Sequence, residues 1–81
     1  MQVSLEISMY PLDREFGTPI LQFIERLKAH PGLEVQTNAM STQVFGPYDL
    51  LMQALQTEMK TSFEQGLPTV FVLKLFNGDL R

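Results

Sequence analysis

The fold of this chain is decided in the middle of its sequence, by the stretch Thr37-Asn38-Ala39-Met40-Ser41-Thr42-Gln43-Val44-Phe45-Gly46-Pro47-Tyr48-Asp49. Before the turn, Leu33, Val35 and Thr37 alternate with polar residues, and after it Thr42, Val44 and Gly46 alternate with Gln43 and Phe45. Period-two alternation predicts two strands, and the short link Ala39–Ser41 predicts that they form an antiparallel hairpin. The link lacks the Asn-Gly pair of the commonest turns, so the sequence leaves the turn type open.

The part of the chain before the hairpin predicts a strand followed by a helix. The strand is indicated by alternating apolar residues, Val3, Leu5, Ile7 and Met9, and it ends at Pro11. The helix is predicted to begin with Thr18 as N-cap and Pro19 in the first helical position. Its apolar residues recur at helical spacing, and His30-Pro31-Gly32 stops it.

The part after the hairpin predicts a long helix and a last strand. One face of the helix is predicted to carry Tyr48, Leu51, Met52, Leu55, Met59 and Phe63. Asp49 lies in its first turn, where a negative charge suits the helix dipole, and Gly66 ends it. The strand Thr69–Phe76 is apolar at nearly every residue, so we expect both of its faces to be covered.

The resulting order is β-α-β-β-α-β, which predicts an α+β, ferredoxin-like domain spanning residues 1–81. Two right-handed crossovers place both helices on one face of a four-stranded antiparallel sheet and leave the other face open. That face would carry apolar side chains of the last strand, and such a surface rarely stays in contact with water. Either a second subunit or a small ligand would cover it, and we favour a subunit.

Composition excludes several classes of function. The chain has 81 residues, a net charge of −3 and no cysteine, so disulfides and thiolate metal sites are ruled out. Six basic residues, scattered along the chain, do not suit a nucleic-acid surface. The first residues do not resemble a signal peptide, and no apolar run is long enough to span a membrane. We therefore expect a cytoplasmic protein.

Catalysis is not expected from these residues, and neither is a cofactor. The only histidine, His30, belongs to a helix-ending His-Pro-Gly and is interpreted as an exposed turn residue. A catalytic imidazole needs an orienting partner within hydrogen-bond reach, and no spacing in the sequence suggests one. The carboxylates show no metal-ligand pattern, and no glycine-rich phosphate loop is present.

The remaining class of function is binding, and each candidate residue also has a purely structural interpretation. Glu6 could accept hydrogen bonds from an amino group or face a cationic ring, or it could be a surface residue in solvent. Asn38, Ser41 and Thr42 could contact a ligand or cap their own turn. The two tyrosines, at Tyr10 and Tyr48, could stack on an aromatic ring or close the edge of the core.

Two segments carry a resemblance to a known family. Tyr10-Pro11-Leu12-x-x-x-Phe16 resembles the end of the first strand in the YkoF-like thiamine-binding family. Thr37-x-x-Met40-Ser41-Thr42-x-Val44-x-Gly46-x-x-Asp49 resembles that family's hairpin and the start of its second helix. The chain departs from the family at Ser41 and Phe45, where many single-domain members carry other residues, and Phe45 offers stacking in place of a polar contact.

The resemblance implies a ferredoxin-like domain used in pairs, without catalysis, that binds thiamine through its hydroxymethylpyrimidine ring in uptake or salvage. Because this chain has one repeat, it implies a homodimer or homotetramer assembled through the open sheet face. The candidate ligand-binding residues are Glu6, Ser8, Tyr10, Asn38, Met40, Ser41, Thr42, Phe45 and Tyr48. The alternative is a structural or regulatory oligomerisation module that has no small ligand.

Overall fold

Two helices pack on one face of a four-stranded antiparallel sheet in the computed structural model, which describes residues 1–81. The elements are β1 (Gln2–Pro11), α1 (Gly17–Lys28), β2 (Glu34–Thr37), β3 (Thr42–Pro47), α2 (Tyr48–Glu64) and β4 (Thr69–Phe76). The strands lie in the order β2-β3-β1-β4. The predicted ferredoxin-like fold is confirmed. Neither helix has the length and apolarity needed to cross a bilayer.

The central strand β1 pairs with β3 on one side and β4 on the other, but over different lengths. Its pairing with β3 ends where Ile7 lies opposite Thr42. Its pairing with β4 continues to Pro11, opposite Thr69. The last residues of β1, Ser8–Pro11, therefore have a strand neighbour on one side only.

The alternation predicted for β1 decides which face carries the core. Val3, Leu5 and Ile7 are each 2% exposed and point toward the helices. They pack with Met9 and with apolar residues of both helices and β3, namely Phe23, Leu27, Val44, Leu51 and Leu55. Removing one such side chain would cost about 2–5 kcal/mol, so this cluster holds the two layers together.

The beginning of α1 differs from the prediction. The helix begins at Gly17 with Phe16 as N-cap, and no side chain caps it. The predicted cap, Thr18, lies inside the first turn and donates its hydroxyl hydrogen to Glu15 Oε1 at 3.0 Å. Pro19 is tolerated there because the first-turn N–H groups have no intrahelical partner. The end of α2 agrees with the prediction, since Gly66 has a φ of 89° just beyond the helix.

The buried face of α2 is polar in part, which the sequence interpretation missed. Glu58 and Ser62 are 8% and 2% exposed, whereas Tyr48 and Phe63, predicted for this face, are 37% and 52% exposed. The apolar residues do recur at helical spacing, but a pattern of apolar residues alone cannot identify a charged side chain that is buried on the same face. Glu58 can be buried because two side chains from the end of α1 and the loop after it hydrogen-bond to its carboxylate.

These two partners are Arg26 and His30, and they connect α1 to α2. Arg26 Nε donates to Glu58 Oε1 at 2.8 Å, and Arg26 Nη2 donates to Ser62 Oγ at 2.7 Å. His30 Nε2 lies 2.7 Å from Glu58 Oε2. The interpretation of His30 as an exposed turn residue was therefore wrong, because its ring turns back onto α2 instead of into solvent.

The expectation that both faces of β4 are covered was also wrong for the chain by itself. Val72 and Phe76, on the face away from the helices, are 54% and 49% exposed. Leu73 and Leu75, on the helix face, are 43% and 44% exposed. The helices reach β4 at Phe71, whose ring centroid lies 5.0 Å from that of Phe23 and 5.5 Å from that of Phe63, but they leave Leu73 and Leu75 largely uncovered.

The residues after β4 fold back across one end of the open face. Ser4 Oγ donates to the Gly78 carbonyl at 2.7 Å and accepts from the Leu80 N–H at 2.9 Å. The Arg81 guanidinium lies 5.8 Å from the Phe45 ring centroid and 3.7 Å from Glu34 Oε1. This polar tail buries Ser4 and Phe45, and the rest of the face stays open.

The environment of Glu58 predicts a pH-dependent contribution to stability. Burial alone would raise the pKa of Glu58, but hydrogen bonds and charge from His30 and Arg26 outweigh it and hold the pKa below its ordinary value. A carboxyl whose pKa is lower in the folded chain stabilises the fold above its unfolded pKa, about 4.3, and loses that contribution at lower pH. We expect Glu58→Gln to lower the free energy of unfolding by about 2 kcal/mol at neutral pH, and by less as pH falls toward about 3.

Urea denaturation at several pH values measures this difference. The matched control is Glu25→Gln, because Glu25 is 74% exposed and its only ion pair, with Lys28, spans 3.7 Å. The control should change stability little at any pH. A Glu58→Gln deficit that stays constant across the acid range would contradict the assignment.

Candidate functional site

The end of β1 that pairs only with β4 forms one wall of a cavity of about 410 Å³. The opposite walls are the hairpin segment Asn38–Thr42 and the first turns of α1. The cavity exists because β3 begins at Thr42, so no strand fills the space beside Ser8–Pro11. Backbone groups on that side of β1 lack a strand partner and can hydrogen-bond to a ligand.

Six of the nine predicted site residues line this cavity: Ser8, Tyr10, Asn38, Met40, Ser41 and Thr42. They come from two segments that are about thirty residues apart in sequence and meet through the β1–β3 pairing. Thr42 is 7% exposed where it borders this cavity. The cavity therefore presents hydroxyl and amide groups beside apolar walls.

The turn of the hairpin is held by the side chain of Asn38. Its Oδ1 accepts from the N–H of Met40 at 2.8 Å and from the N–H of Ser41 at 3.0 Å. The Asn38 N–H donates to the Ser41 carbonyl at 3.1 Å. No residue of the turn has a positive φ, which explains why the Asn-Gly signature is absent. With Oδ1 engaged, the Asn38 amide nitrogen is the group that can donate to a ligand.

Ser41 connects the cavity to the open face of the sheet. Its hydroxyl donates to Glu6 Oε2 at 3.1 Å and accepts from Gln43 Nε2 at 2.7 Å. Glu6 Oε1 lies 3.6 Å from Lys74 Nζ across the β1–β4 pair. Glu6 therefore does not line the cavity but hydrogen-bonds to Ser41, which does, and the Glu6 side chain is 45% exposed.

Two predicted residues lie away from the cavity. Phe45 is 6% exposed beneath Arg81, in a groove of about 380 Å³ on the open face. Tyr48 lies at the opposite end of the sheet, where its N–H donates to the Met1 carbonyl at 2.9 Å. Neither residue can contact a ligand in the hairpin cavity.

The apolar lining includes residues that the sequence interpretation did not select. Ile20, Phe23 and Ile24 of α1 form the inner wall, and Phe16 stands at the mouth. Three lining residues are largely exposed: Phe16 at 58%, Leu12 at 63% and Met40 at 89%. The signal was present in the Tyr10-to-Phe16 motif, which ended on Phe16, but an aromatic residue beside a helix start also suits the core.

The lining contains no charged side chain and no histidine. Such a cavity lacks a general base, a nucleophile with an adjacent base, or a metal-ligating cluster among its own walls. It offers hydroxyls, an amide and aromatic edges around an apolar interior. This combination suits binding of a small, uncharged, planar group with a few polar atoms.

The sequence of the chain matches a known protein family, and its fold matches several solved structures. Residues 5–75 match the model of the family described as thiamine-binding protein. A comparison with curated proteins finds no significant match. A hypothetical protein of Methanocaldococcus jannascii is 27% identical, with a TM-score of 0.82 over 99% of this chain and 84% of that one.

Two further solved structures share the fold at lower identity. One is a Thermotoga maritima protein with a provisional assignment to thiamine biosynthesis or salvage. It is 18% identical, with a TM-score of 0.84 over 96% of this chain and 85% of that one. The other is a domain of unknown function from Bacillus cereus. It is also 18% identical, with a TM-score of 0.79 over 96% of this chain and 77% of that one.

The two roles of Asn38 can be separated by substitution. We expect Asn38→Ala to lower the free energy of unfolding by about 1 kcal/mol, because two backbone N–H groups lose their acceptor. Asn38→Asp should cost less, because a carboxylate oxygen can still accept both hydrogen bonds. Urea denaturation of the three proteins tests this, and equal losses for Ala and Asp would contradict the capping role.

Proposed function

The chain belongs to the thiamine-binding protein family, and we propose that it binds thiamine, or its hydroxymethylpyrimidine part, in the hairpin cavity. The role that follows is cytoplasmic thiamine uptake or salvage, without catalysis. One observation carries the proposal: a cavity of about 410 Å³ with no charged lining residue, whose apolar walls also carry the hydroxyls of Ser8 and Thr42 and the amide of Asn38. That volume falls within the range of about 300–1,000 Å³ typical of small-molecule sites.

The chemistry of the cavity suits an aminopyrimidine ring. Such a ring has an amino donor and ring-nitrogen acceptors in one plane, with two apolar faces. The Asn38 amide nitrogen can donate to a ring nitrogen, and the hydroxyls of Ser8 and Thr42 can donate or accept. Tyr10 and Phe16 at the mouth provide aromatic surface for the faces of the ring.

The negative charge of Glu6 would favour thiamine over hydroxymethylpyrimidine. Thiamine carries a cationic thiazolium, whereas hydroxymethylpyrimidine is neutral, and the cavity walls contain no charge. Glu6 lies directly behind Ser41 and is half-exposed, so it is the carboxylate placed to attract a cation at the rim. Lys74 also pairs with Glu6, at 3.6 Å, which limits the attraction.

One solved structure with the same fold also supports a thiamine-related role. The Thermotoga maritima protein, with its provisional thiamine assignment, shares the arrangement of the whole chain. Assembly through the open sheet face, as a homodimer or homotetramer, forms part of the proposal. Val70, Val72 and Phe76 on that face are between 46% and 54% exposed. This surface also favours the alternative function, an oligomerisation module without a ligand.

Calorimetric titration with thiamine and with hydroxymethylpyrimidine tests the proposal directly. We expect saturable heat from the folded wild-type chain, and a roughly tenfold weaker affinity for Thr42→Val, which keeps the shape but removes the hydroxyl. Thr57→Val is the matched control, because Thr57 is exposed on α2 and its hydroxyl bonds only to the Gln53 carbonyl. No heat from the folded protein at millimolar ligand would favour the oligomerisation module instead.

A second substitution tests the role of Glu6. Glu6→Gln keeps an acceptor for the Ser41 hydroxyl but removes the negative charge. We expect it to weaken thiamine several-fold, by about 0.5–1 kcal/mol, and to leave hydroxymethylpyrimidine nearly unchanged. Titrations at low and high salt should show the thiamine difference shrinking as salt rises. Equal losses for both ligands would remove Glu6 from cation recognition.

A further inference from the structure

The backbone of β1 points alternately toward its two neighbouring strands, and two hydrogen bonds at the ends of the ladders fix the order. The Leu12 N–H donates to the Pro68 carbonyl at 2.8 Å, on the β4 side. The Tyr48 N–H donates to the Met1 carbonyl at 2.9 Å, on the β3 side. Both bonds continue the registers of the two ladders. Even-numbered residues of β1 therefore turn their N–H and C=O groups toward β4, and odd-numbered residues turn theirs toward β3.

Met9 is the first residue of β1 that points toward β3 and lies beyond the end of β3. The pairing ends with Ile7 opposite Thr42, so the same register would put Met40 opposite Met9. Across β4, Met9 lies opposite Phe71, in a pair whose backbone groups point away from each other. The Met9 N–H and C=O take part in none of the backbone hydrogen bonds outside the ladders. Both groups are therefore left without a strand partner.

The turn of the hairpin holds Met40 away from Met9. Asn38 Oδ1 accepts from the Met40 N–H at 2.8 Å, so the donor that would continue the ladder is used inside the turn. The Met40 side chain is 89% exposed, which shows that the residue leaves the plane of the core. The space beside Met9 belongs to the hairpin cavity, which Met9, Met40 and Asn38 all line.

The unpartnered groups of Met9 lie in surroundings where backbone groups are normally bonded. Met9 is 8% exposed and belongs to the apolar core. Nearly all buried backbone N–H and C=O groups have a hydrogen-bond partner, because leaving one unpaired is costly. Pro11, the next residue that points the same way, has no N–H. Met9 thus supplies the one free backbone donor of this edge, with its own carbonyl as the neighbouring acceptor.

We propose that the N–H and C=O of Met9 recognise a planar ring that carries an amino group next to a ring nitrogen. The N–H donates to the ring nitrogen, and the C=O accepts from the amino group. The ring replaces the strand residue that would have continued the β1–β3 ladder. This assignment rests on the proposed binding of an aminopyrimidine in the hairpin cavity, and it identifies the groups that select that ring.

The pairing also fixes how the ring lies. Hydrogen bonds between strands run in the plane of the sheet, so the ring lies in that plane and occupies the position next to β1. One face of the ring then turns toward α1, where Ile20 and Ile24 line the cavity. The opposite edge of an aminopyrimidine carries its second ring nitrogen, which turns toward the hairpin and the amide nitrogen of Asn38.

The fixed order of donor and acceptor along the strand gives selectivity. A ring with a carbonyl in place of the amino group carries a hydrogen on the neighbouring nitrogen. In the same orientation, it would set donor against donor and acceptor against acceptor. Turning the ring over restores the match but moves its other substituents to the wrong side. Hydroxyl and amide side chains can turn to suit either ring, whereas the backbone of a strand cannot.

Calorimetric titration with two analogues of thiamine tests the selectivity. One has a carbonyl in place of the amino group, and the other keeps the aminopyrimidine but has a pyridinium in place of the thiazolium. We expect the carbonyl analogue to bind roughly tenfold or more weakly than thiamine, and the pyridinium analogue to bind within a few-fold of it. Equal binding of thiamine and the carbonyl analogue would overturn the assignment to Met9 and leave the proposed function standing. Absence of binding by all three would overturn both.

Amide hydrogen exchange followed by NMR locates the contact. Without ligand, we expect the Met9 amide to exchange faster than those of Ser8 and Tyr10, which are bonded to β4, and faster than that of Ile7. Bound thiamine should slow exchange at Met9 roughly tenfold or more. Ile7 is the matched control, because its N–H points to the same side and already has Thr42 as its partner.

Two outcomes of the exchange measurement would contradict the assignment. One is a Met9 amide that exchanges as slowly as Ile7 in the free chain, which would show that it already has a partner. The other is a Met9 amide that is not slowed when calorimetry shows thiamine to be bound. The first outcome needs no ligand, and the second requires that thiamine binds, so neither can be confused with failure of the proposed function.

Discussion

The pairing between β1 and β3, which ends at Ile7 and Thr42, is the constraint on which the functional features depend. If β3 began earlier, it would fill the space beside Ser8–Pro11, and no cavity would exist. The turn fixes this limit, because Asn38 Oδ1 holds two N–H groups of the link and ends the hairpin there. The same side chain therefore stabilises the turn and lines the cavity that the turn creates.

The helix layer is positioned by two kinds of contact. Apolar residues of β1 and both helices form the core, and the Arg26–Glu58–His30–Ser62 network joins α1 to α2. Charged hydrogen bonds with fixed geometry add a directional constraint to the close packing of the core. The network thus fixes the first helix, whose residues Ile20 and Ile24 form the inner wall of the cavity.

The sheet extends further than the helices that cover it, so part of its outer strand β4 stays exposed. β1 is buried on its helix face, whereas β4 beside it is covered there at Phe71 and stays exposed at Leu73 and Leu75. The open face has partial protection from the polar tail through Ser4 and Arg81.

The sequence by itself determined the order of elements, the buried face of β1, the hairpin and the family, because period-two and period-3.6 patterns are local. Six of the nine predicted site residues line one cavity in the structure, and their role in binding stays a prediction. The sequence failed at Glu58 and His30, because a charged residue can be buried only when its partners arrive from another segment. The sequence also could not show that Tyr48 and Phe45 lie away from the cavity, because their positions depend on strand register and on the tail. Only the tertiary structure decided where β3 stops beside β1 and where the helices stop above β4, since both are set by contacts between segments distant in sequence.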